Sequence, residues 1–216
     1  EGYLPSALAN FLALLGWSPG TEEEVFSMDN LIQNFDLKKV NSSGAKFDVE
    51  KLNWFNHKYL QSEKDEKIAD YLVGARYELK KTNKEDVIRA VGLTKERART
   101  LNELWSLCGY LFKAPSHYNE KALKKISTSS TIDILSGLSK KLESVSSFKE
   151  AEISSTVKSW INESGKSFGS VMQPARLALV GELKGVDLYV IFEFLGKQES
   201  ISRLNSLINK IETSAE

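Results

Sequence analysis

Apolar residues recur along this chain at helical spacing almost throughout. Leu4, Leu8, Phe11, Leu12 and Leu15 trace one stripe, and Leu52, Phe55 and Tyr59 another, as expected of helices that each bury one face. A third run, Ala98, Leu101, Trp105, Cys108 and Phe112, predicts one long helix that begins at Thr94, carries Arg97 and Arg99 in its first turn and stops before Pro115. A stretch rich in Ser and Thr at 127–131 interrupts the pattern. Leu135, Leu138, Leu142 and Val145 then mark a further helix, and others are expected over 153–161 and 201–211.

Helix starts are signalled by Thr21 with Glu24 in a capping-box arrangement, by Asp48 ahead of the Leu52 stripe, and by Asn83 ahead of Glu85-Asp86. In each case a side-chain oxygen would accept from an orphan backbone N–H of the first turn. The run 188–195 is ambiguous by composition, because its β-branched and aromatic residues also suit a buried strand. Elsewhere strands have little support, so the predicted fold class is all-α.

A chain of 216 residues can bury one large or two small cores, and two domains are the better expectation. Lys plus Arg number 29 and Asp plus Glu 29, so the formal charge is zero, which argues against a protein that coats RNA with a uniformly basic surface. Any nucleic-acid site must be a local patch. Lys80-Lys81 with Lys84, Lys95-Arg97-Arg99, and Lys121 with Lys124-Lys125 are available, although a solvated helix face is the ordinary explanation of each run. Cys108 is the only cysteine, which excludes an internal disulfide and points to a reducing, cytoplasmic setting. No apolar run approaches the roughly 20 residues that cross a bilayer. A monomer is the default expectation.

The residues offer little for catalysis. His57 and His117 each lack a neighbouring ligand at metal spacing, so no metal site is expected. His57 reads as a packing or capping residue, and Cys108 as a small core residue. Gly165-Lys166-Ser167 mimics the end of a phosphate-binding loop, but Trp160 stands where the first glycine should be and no strand precedes it; a helix C-cap at Gly165 is the better account. Glu63 with Asp65-Glu66 lies in a charged region where nothing would raise a carboxyl's pKa.

Several separated segments nevertheless resemble one family. Gly2-Tyr3-Leu4-Pro5-Ser6-Ala7-Leu8 and Leu14-Leu15-Gly16-Trp17-Ser18-Pro19-Gly20 open the chain. Phe35-Asp36-Leu37 is followed by Phe47-Asp48-Val49-Glu50-Lys51-Leu52-Asn53-Trp54-Phe55-Asn56. Lys95-Glu96-Arg97-Ala98-Arg99-Thr100-Leu101 lies in the middle, and Val171-Met172-Gln173-Pro174-Ala175-Arg176-Leu177-Ala178-Leu179-Val180-Gly181, then Leu195-Gly196-Lys197, near the end. In this order they resemble the tRNA-binding body of the bacterial glutamyl-tRNA synthetases, class I aminoacyl-tRNA synthetases. The family's histidine-glycine ATP motif and its Lys-Met-Ser-Lys type loop do not occur in the sequence, and Glu1 rather than Met stands first. The expectation is therefore a piece of a longer ligase that is not itself an enzyme. It would bind no cofactor of its own, ATP and magnesium belonging to the catalytic part.

The resemblance implies a stem-contact part over 1–62 and an anticodon-binding helix cage in two parts, 63–130 and 131–216. The partner it implies is the glutamate tRNA, with the glutamine tRNA as a second candidate. Arg97 matches the arginine that contacts the third anticodon base in discriminating members, C in the glutamate tRNA and G in the glutamine tRNA. A guanidinium offers donors to the O2 and N3 acceptors of cytosine and would meet guanine's N1 and N2 donors unfavourably. Arg176 matches the arginine that reads the first anticodon base, with Pro174 expected to start its helix and Gln173 to order the same site. Many relatives carry Ser or Thr and then Pro before the next helix, where this chain has Lys184-Gly185-Val186-Asp187-Leu188. The resemblance thus assigns the middle base to Leu188 and to backbone contacts through Gly185, tips 188–195 to helix, and makes Asp187 its cap. Lys95, Arg99, Lys80 and Lys81 would contact the tRNA backbone. Two other readings stay open on sequence grounds: a helical protein-interaction module whose basic runs are only solvated faces, and a free-standing RNA-binding homologue without synthetase activity.

Overall fold

The computed structural model describes residues 1–41 and 44–213. Among them the fold is all-α, with eleven α-helices, four short 3-10 turns and, as β structure, an isolated bridge between Trp17 and Val40. The chain divides into two compact units, Glu1–Cys108 and Gly109–Glu216.

In the first unit α1 (Pro5–Gly16) packs on α3 (Val49–Ser62), burying Phe11, Leu52 and Phe55 with Leu8, Leu15 and Tyr59 around them. Leu12 departs from the expected stripe and is 49% exposed. Asp48 caps α3, its carboxylate accepting from the Glu50 and Lys51 N–H groups at 2.9 and 3.1 Å. The predicted helix start at Thr21 is not there. Residues 18–27 are non-helical, because the buried Asn10 donates from Nδ2 to the Glu24 carbonyl and accepts the Phe26 N–H at 2.7 Å, holding the segment open. Helix α2 (Met28–Asn34) instead starts at Ser27, which accepts from Asn30 N–H. Residues 25–54 also carry much exposed apolar surface, including Ile32 at 71% and Leu37 at 78%. Helix α4 (Asp65–Ala75) packs on α5 (Lys84–Thr94), which Asn83 caps as expected.

The single long helix predicted from Thr94 is broken. A 3-10 turn spans Lys95–Arg97, Ala98 is extended, α6 runs over Leu101–Cys108, and a second 3-10 turn follows at Gly109–Leu111. The apolar spacing survives the break, with Ala98, Leu101 and Cys108 buried.

In the second unit α7 (Glu120–Ile126) leads into a bundle of α8 (Ser129–Glu143), α9 (Glu150–Glu163), α10 (Phe168–Val180) and α11 (Leu188–Thr213), with α11 packed on the other three. Leu135, Leu138, Leu142 and Val145 are buried as predicted. Gly165 ends α9 with φ +64°; its N–H bonds the Asn162 carbonyl and the Lys166 N–H bonds the Ile161 carbonyl, a Schellman closure. Ser167 then caps α10 by accepting from Ser170 N–H, so Pro174 lies inside that helix and not at its start. The ambiguous run 188–195 is the first part of α11, capped by Asp187, whose carboxylate accepts the Tyr189 N–H at 2.8 Å. A kink at Gly196 breaks α11, and the following Lys197 donates its ammonium to the carbonyls of Glu143 and Val145 at the end of α8. No helix among the described residues is long and apolar enough to cross a membrane.

Candidate nucleic-acid interface

The sequence-predicted residues fall into two groups, one in each unit. In the first unit, the segment between α5 and α6 is held by side chains remote in sequence. The buried Asn56 donates to the Arg99 carbonyl and accepts the Leu4 N–H at 2.7 Å. His57 Nδ1 lies 2.8 Å from the Ala98 carbonyl and donates to it in the Nδ1-protonated tautomer, while Leu101 N–H bonds the Gly2 carbonyl at 2.8 Å. Thr100 caps α6 by accepting the Glu103 N–H at 3.2 Å, and the Glu103 carboxylate reaches back to the Arg99 N–H at 2.8 Å, close to a capping box.

These bonds present Arg97 and Arg99 at exposed positions. Arg99 pairs with Glu103 through its guanidinium at 2.8 Å, and that side-chain bond raises the arginine's pKa and holds the Glu103 carboxyl below its ordinary value. Lys95 is placed differently. Its ammonium sits 2.7 Å from Asp65 Oδ1 and donates to the carbonyls of Glu63 at 2.8 Å and Gln61 at 3.3 Å, with 14% of the side chain exposed. It bridges the end of α3 to the start of α4, a structural position rather than an outward-facing cation. Lys80 and Lys81 are exposed after the 3-10 turn Tyr77–Leu79, with the Lys80 ammonium 5.1 Å from the centre of the Tyr77 ring.

In the second unit, Arg176 lies in α10, one turn after the exposed Gln173 and on the same side of the helix. Its Nη1 donates to the Val186 carbonyl at 2.8 Å, and the Val186 N–H donates to the Tyr110 hydroxyl at 3.2 Å. Gly185 sits against both groups: a Cβ there would lie 3.1 Å from Arg176 Nη1 and 3.1 Å from Tyr110 Oη. Gln173, Arg176 and the 184–187 loop thus share one surface, with Lys184 exposed on it. Leu188 is beneath that surface, 2% exposed, and supports the loop from below. Sequence reasoning missed Tyr110 and also Arg203, a 3%-exposed arginine whose Nη1 donates to the carbonyls of Tyr110 and Leu179. A charged residue on an otherwise apolar helix face was the one available signal.

Among the described residues no group of three or more His, Cys, Asp and Glu side chains converges. His117 Nδ1 lies 2.9 Å from the Ser116 hydroxyl, and Gly165-Lys166-Ser167 is consumed by the junction of α9 and α10.

The family model for the anticodon binding domain matches residues 55–208, a span that contains every residue of both groups. The chain belongs to the anticodon-binding-domain family. The model for the catalytic domain of class I tRNA synthetases (E and Q) matches residues 1–54. The chain is 42% identical over 212 residues to a glutamate–tRNA ligase of Flavobacterium johnsoniae and 42% identical over 209 residues to one of Porphyromonas gingivalis. These matches cover 98% and 96% of this chain but 42% and 41% of the relatives. The chain thus spans less than half the length of the curated relatives it matches. A crystal structure of a glutamate tRNA ligase from Elizabethkingia meningosepticum in complex with its amino acid matches at TM-score 0.83 and 38% identity, over 97% of this chain and 42% of that one. The glutamate-tRNA synthetase of Elizabethkingia anophelis matches at 0.77 and 37%, over 96% and 41%. As a member of the anticodon-binding-domain family, the chain presents Arg176 on α10 beside the α10–α11 loop and Arg97 and Arg99 in the α5–α6 segment.

Proposed function

We propose that this chain recognises the glutamate tRNA as the anticodon- and elbow-binding part of a glutamate–tRNA ligase. Arg176 contacts the first anticodon base with Gln173 beside it, and Arg97 contacts the third. Gly185 and the loop supported by Leu188 approach the middle base, while Arg99, Lys80 and Lys81 contribute phosphate contacts. Lys95 contributes by fixing the turn that carries Arg97. The ligase chemistry, with its ATP and magnesium, resides outside these residues, and this chain binds no cofactor of its own.

The observation that carries the reading is the Arg176 guanidinium anchored at 2.8 Å to the Val186 carbonyl beside exposed Gln173, inside the stretch matched by the anticodon-binding family. An arginine whose fork is already held has less rotamer freedom to lose when it meets a base. Lysine and arginine supply affinity through counterion release, so binding falls steeply with salt. Base selectivity comes from donor against acceptor: a donor left facing a donor costs about 1–3 kcal/mol, roughly 5- to 150-fold in affinity.

The test is fluorescence anisotropy at one fixed low salt concentration, with anticodon stem-loops whose third base is C or G. A preference for C that disappears in Arg97→Ala supports a discriminating reader. Equal binding removes the selectivity of Arg97, and with it the distinction between glutamate and glutamine tRNAs. Failure to bind either stem-loop or the full glutamate tRNA sinks the reading.

A further inference from the structure

We infer that Tyr110 is a positioning residue for base readout, which it fixes from beneath through the Val186 peptide; this rests on the proposed role of Arg176. An arginine side chain is long and rotationally free, so one hydrogen bond to a loop carbonyl restrains it only as well as that loop is itself restrained. Val186 is buried, 7% exposed, and both of its peptide groups are held: the carbonyl by Arg176 at 2.8 Å and the N–H by the Tyr110 hydroxyl at 3.2 Å. A buried N–H without a partner is disfavoured, so removing the hydroxyl forces the loop to move or to admit water.

Tyr110 is in turn fixed by its own carbonyl, which accepts from Arg203 Nη1 at 2.6 Å. The same Nη1 donates at 2.8 Å to the Leu179 carbonyl in the last turn of α10, the helix that carries Arg176, and Arg203 Nε is held by Glu199 at 2.7 Å. The bonds close a circuit from α10 through Arg203, Tyr110 and Val186 back to α10. The close approach at Gly185 belongs to it: φ there is +150°, and any Cβ would press on both the Tyr110 hydroxyl and the Arg176 guanidinium at 3.1 Å. Glycine at 185 is what lets tyrosine and arginine converge on one peptide. The circuit touches no base itself; it sets where the guanidinium points.

The test uses four anticodon stem-loops that differ only in the first base, bound to the whole chain, to Tyr110→Phe and to Gly185→Ala. Thermal unfolding and the salt dependence of binding are measured for each protein. Tyr110→Phe should shrink the affinity ratio between best and worst base about fivefold, the equivalent of ~1 kcal/mol for one hydrogen bond. The salt slope should stay unchanged, because no phosphate contact is lost. Gly185→Ala should compress the same ratio by displacing the same two groups. A first-base preference that survives both substitutions overturns the inference while leaving the Arg176 reading intact, as does a uniform loss across all four stem-loops that tracks a lower melting temperature. A wild-type chain with no first-base preference removes the role of Arg176 and the inference with it.

Discussion

The side chain of Asn56 ties the carbonyl of Arg99 to the backbone N–H of Leu4, which it accepts at 2.7 Å, from a position with no solvent exposure. One amide thereby sets the register between the start of α1, the middle of α3 and the loop that presents Arg97.

Truncating that amide leaves a donor and an acceptor unsatisfied in the core. Asn56→Ala should destabilise the first unit by about 3 kcal/mol, from two lost partners at ~1–3 kcal/mol each with partial rehydration. Asn56→Asp should be worse, because it keeps the acceptor for Leu4 but sets a carboxylate against the Arg99 carbonyl. Urea unfolding followed by tryptophan fluorescence reads both, and a shift smaller than that of an exposed Asn→Ala control would contradict the assignment.

The ion pair of Arg99 and Glu103 predicts an acid-side response. Hydrogen bonding to Arg99 lowers the Glu103 carboxyl below its ordinary 4.5. A carboxylate whose folded pKa is depressed contributes stability that is present above the unfolded value and lost as pH falls through the folded one. Stability should therefore decline as pH drops below about 4.5, and Glu103→Gln should flatten part of that slope by giving up the same small contribution at neutral pH. Partial exposure and salt screening keep the effect small. Melting curves between pH 3 and pH 7 measure it.

Arg176→Lys separates charge from geometry. The ammonium keeps the positive charge but loses the planar fork, so one point charge replaces two directional donors. Binding to stem-loops should retain its salt slope and lose about tenfold in discrimination at the first base, the scale of one bidentate contact by analogy with groove readout. A variant that discriminates as well as the parent would show that Arg176 acts only through its charge.

Burial pushes the Cys108 thiol up to about 12. The thiolate is the reactive form, so at pH 8 the folded chain should react with a disulfide reagent at least a hundredfold more slowly than the urea-unfolded chain. Stoichiometric labelling within minutes in native buffer would refute the buried assignment.

Local signals in the sequence were legible and remote ones were not. Asp48, Asn83 and Asp187 cap helices as expected, because a cap needs only its own side chain and the next turn. Thr21 with Glu24 has the same local pattern and fails, since Asn10, 16 residues from Phe26, holds that segment extended. The break after Thr94 was hidden for a related reason: the apolar period continues through Ala98 and Leu101, and the groups that stop the helix, Asn56, His57 and Gly2, lie in other parts of the chain. Pro174 is expected at a helix start; the helix is capped about two turns earlier, by Ser167. In the site, Arg176 and Arg97 stand out by resemblance, whereas Tyr110 is 76 residues from the Val186 it supports and no spacing rule links them.

Lys95 carries a consequence for how this position can vary among relatives. Its compact ammonium donates to two carbonyls and lies 2.7 Å from one carboxylate where α3 ends and α4 begins. A flat guanidinium cannot aim along those three directions, so arginine, which substitutes freely for lysine on most surfaces, should be rare at 95 and common at the exposed 80 and 81. The substitution record of the family would then distinguish a cation that builds the protein from cations on its exposed surface, although all three read alike as basic residues.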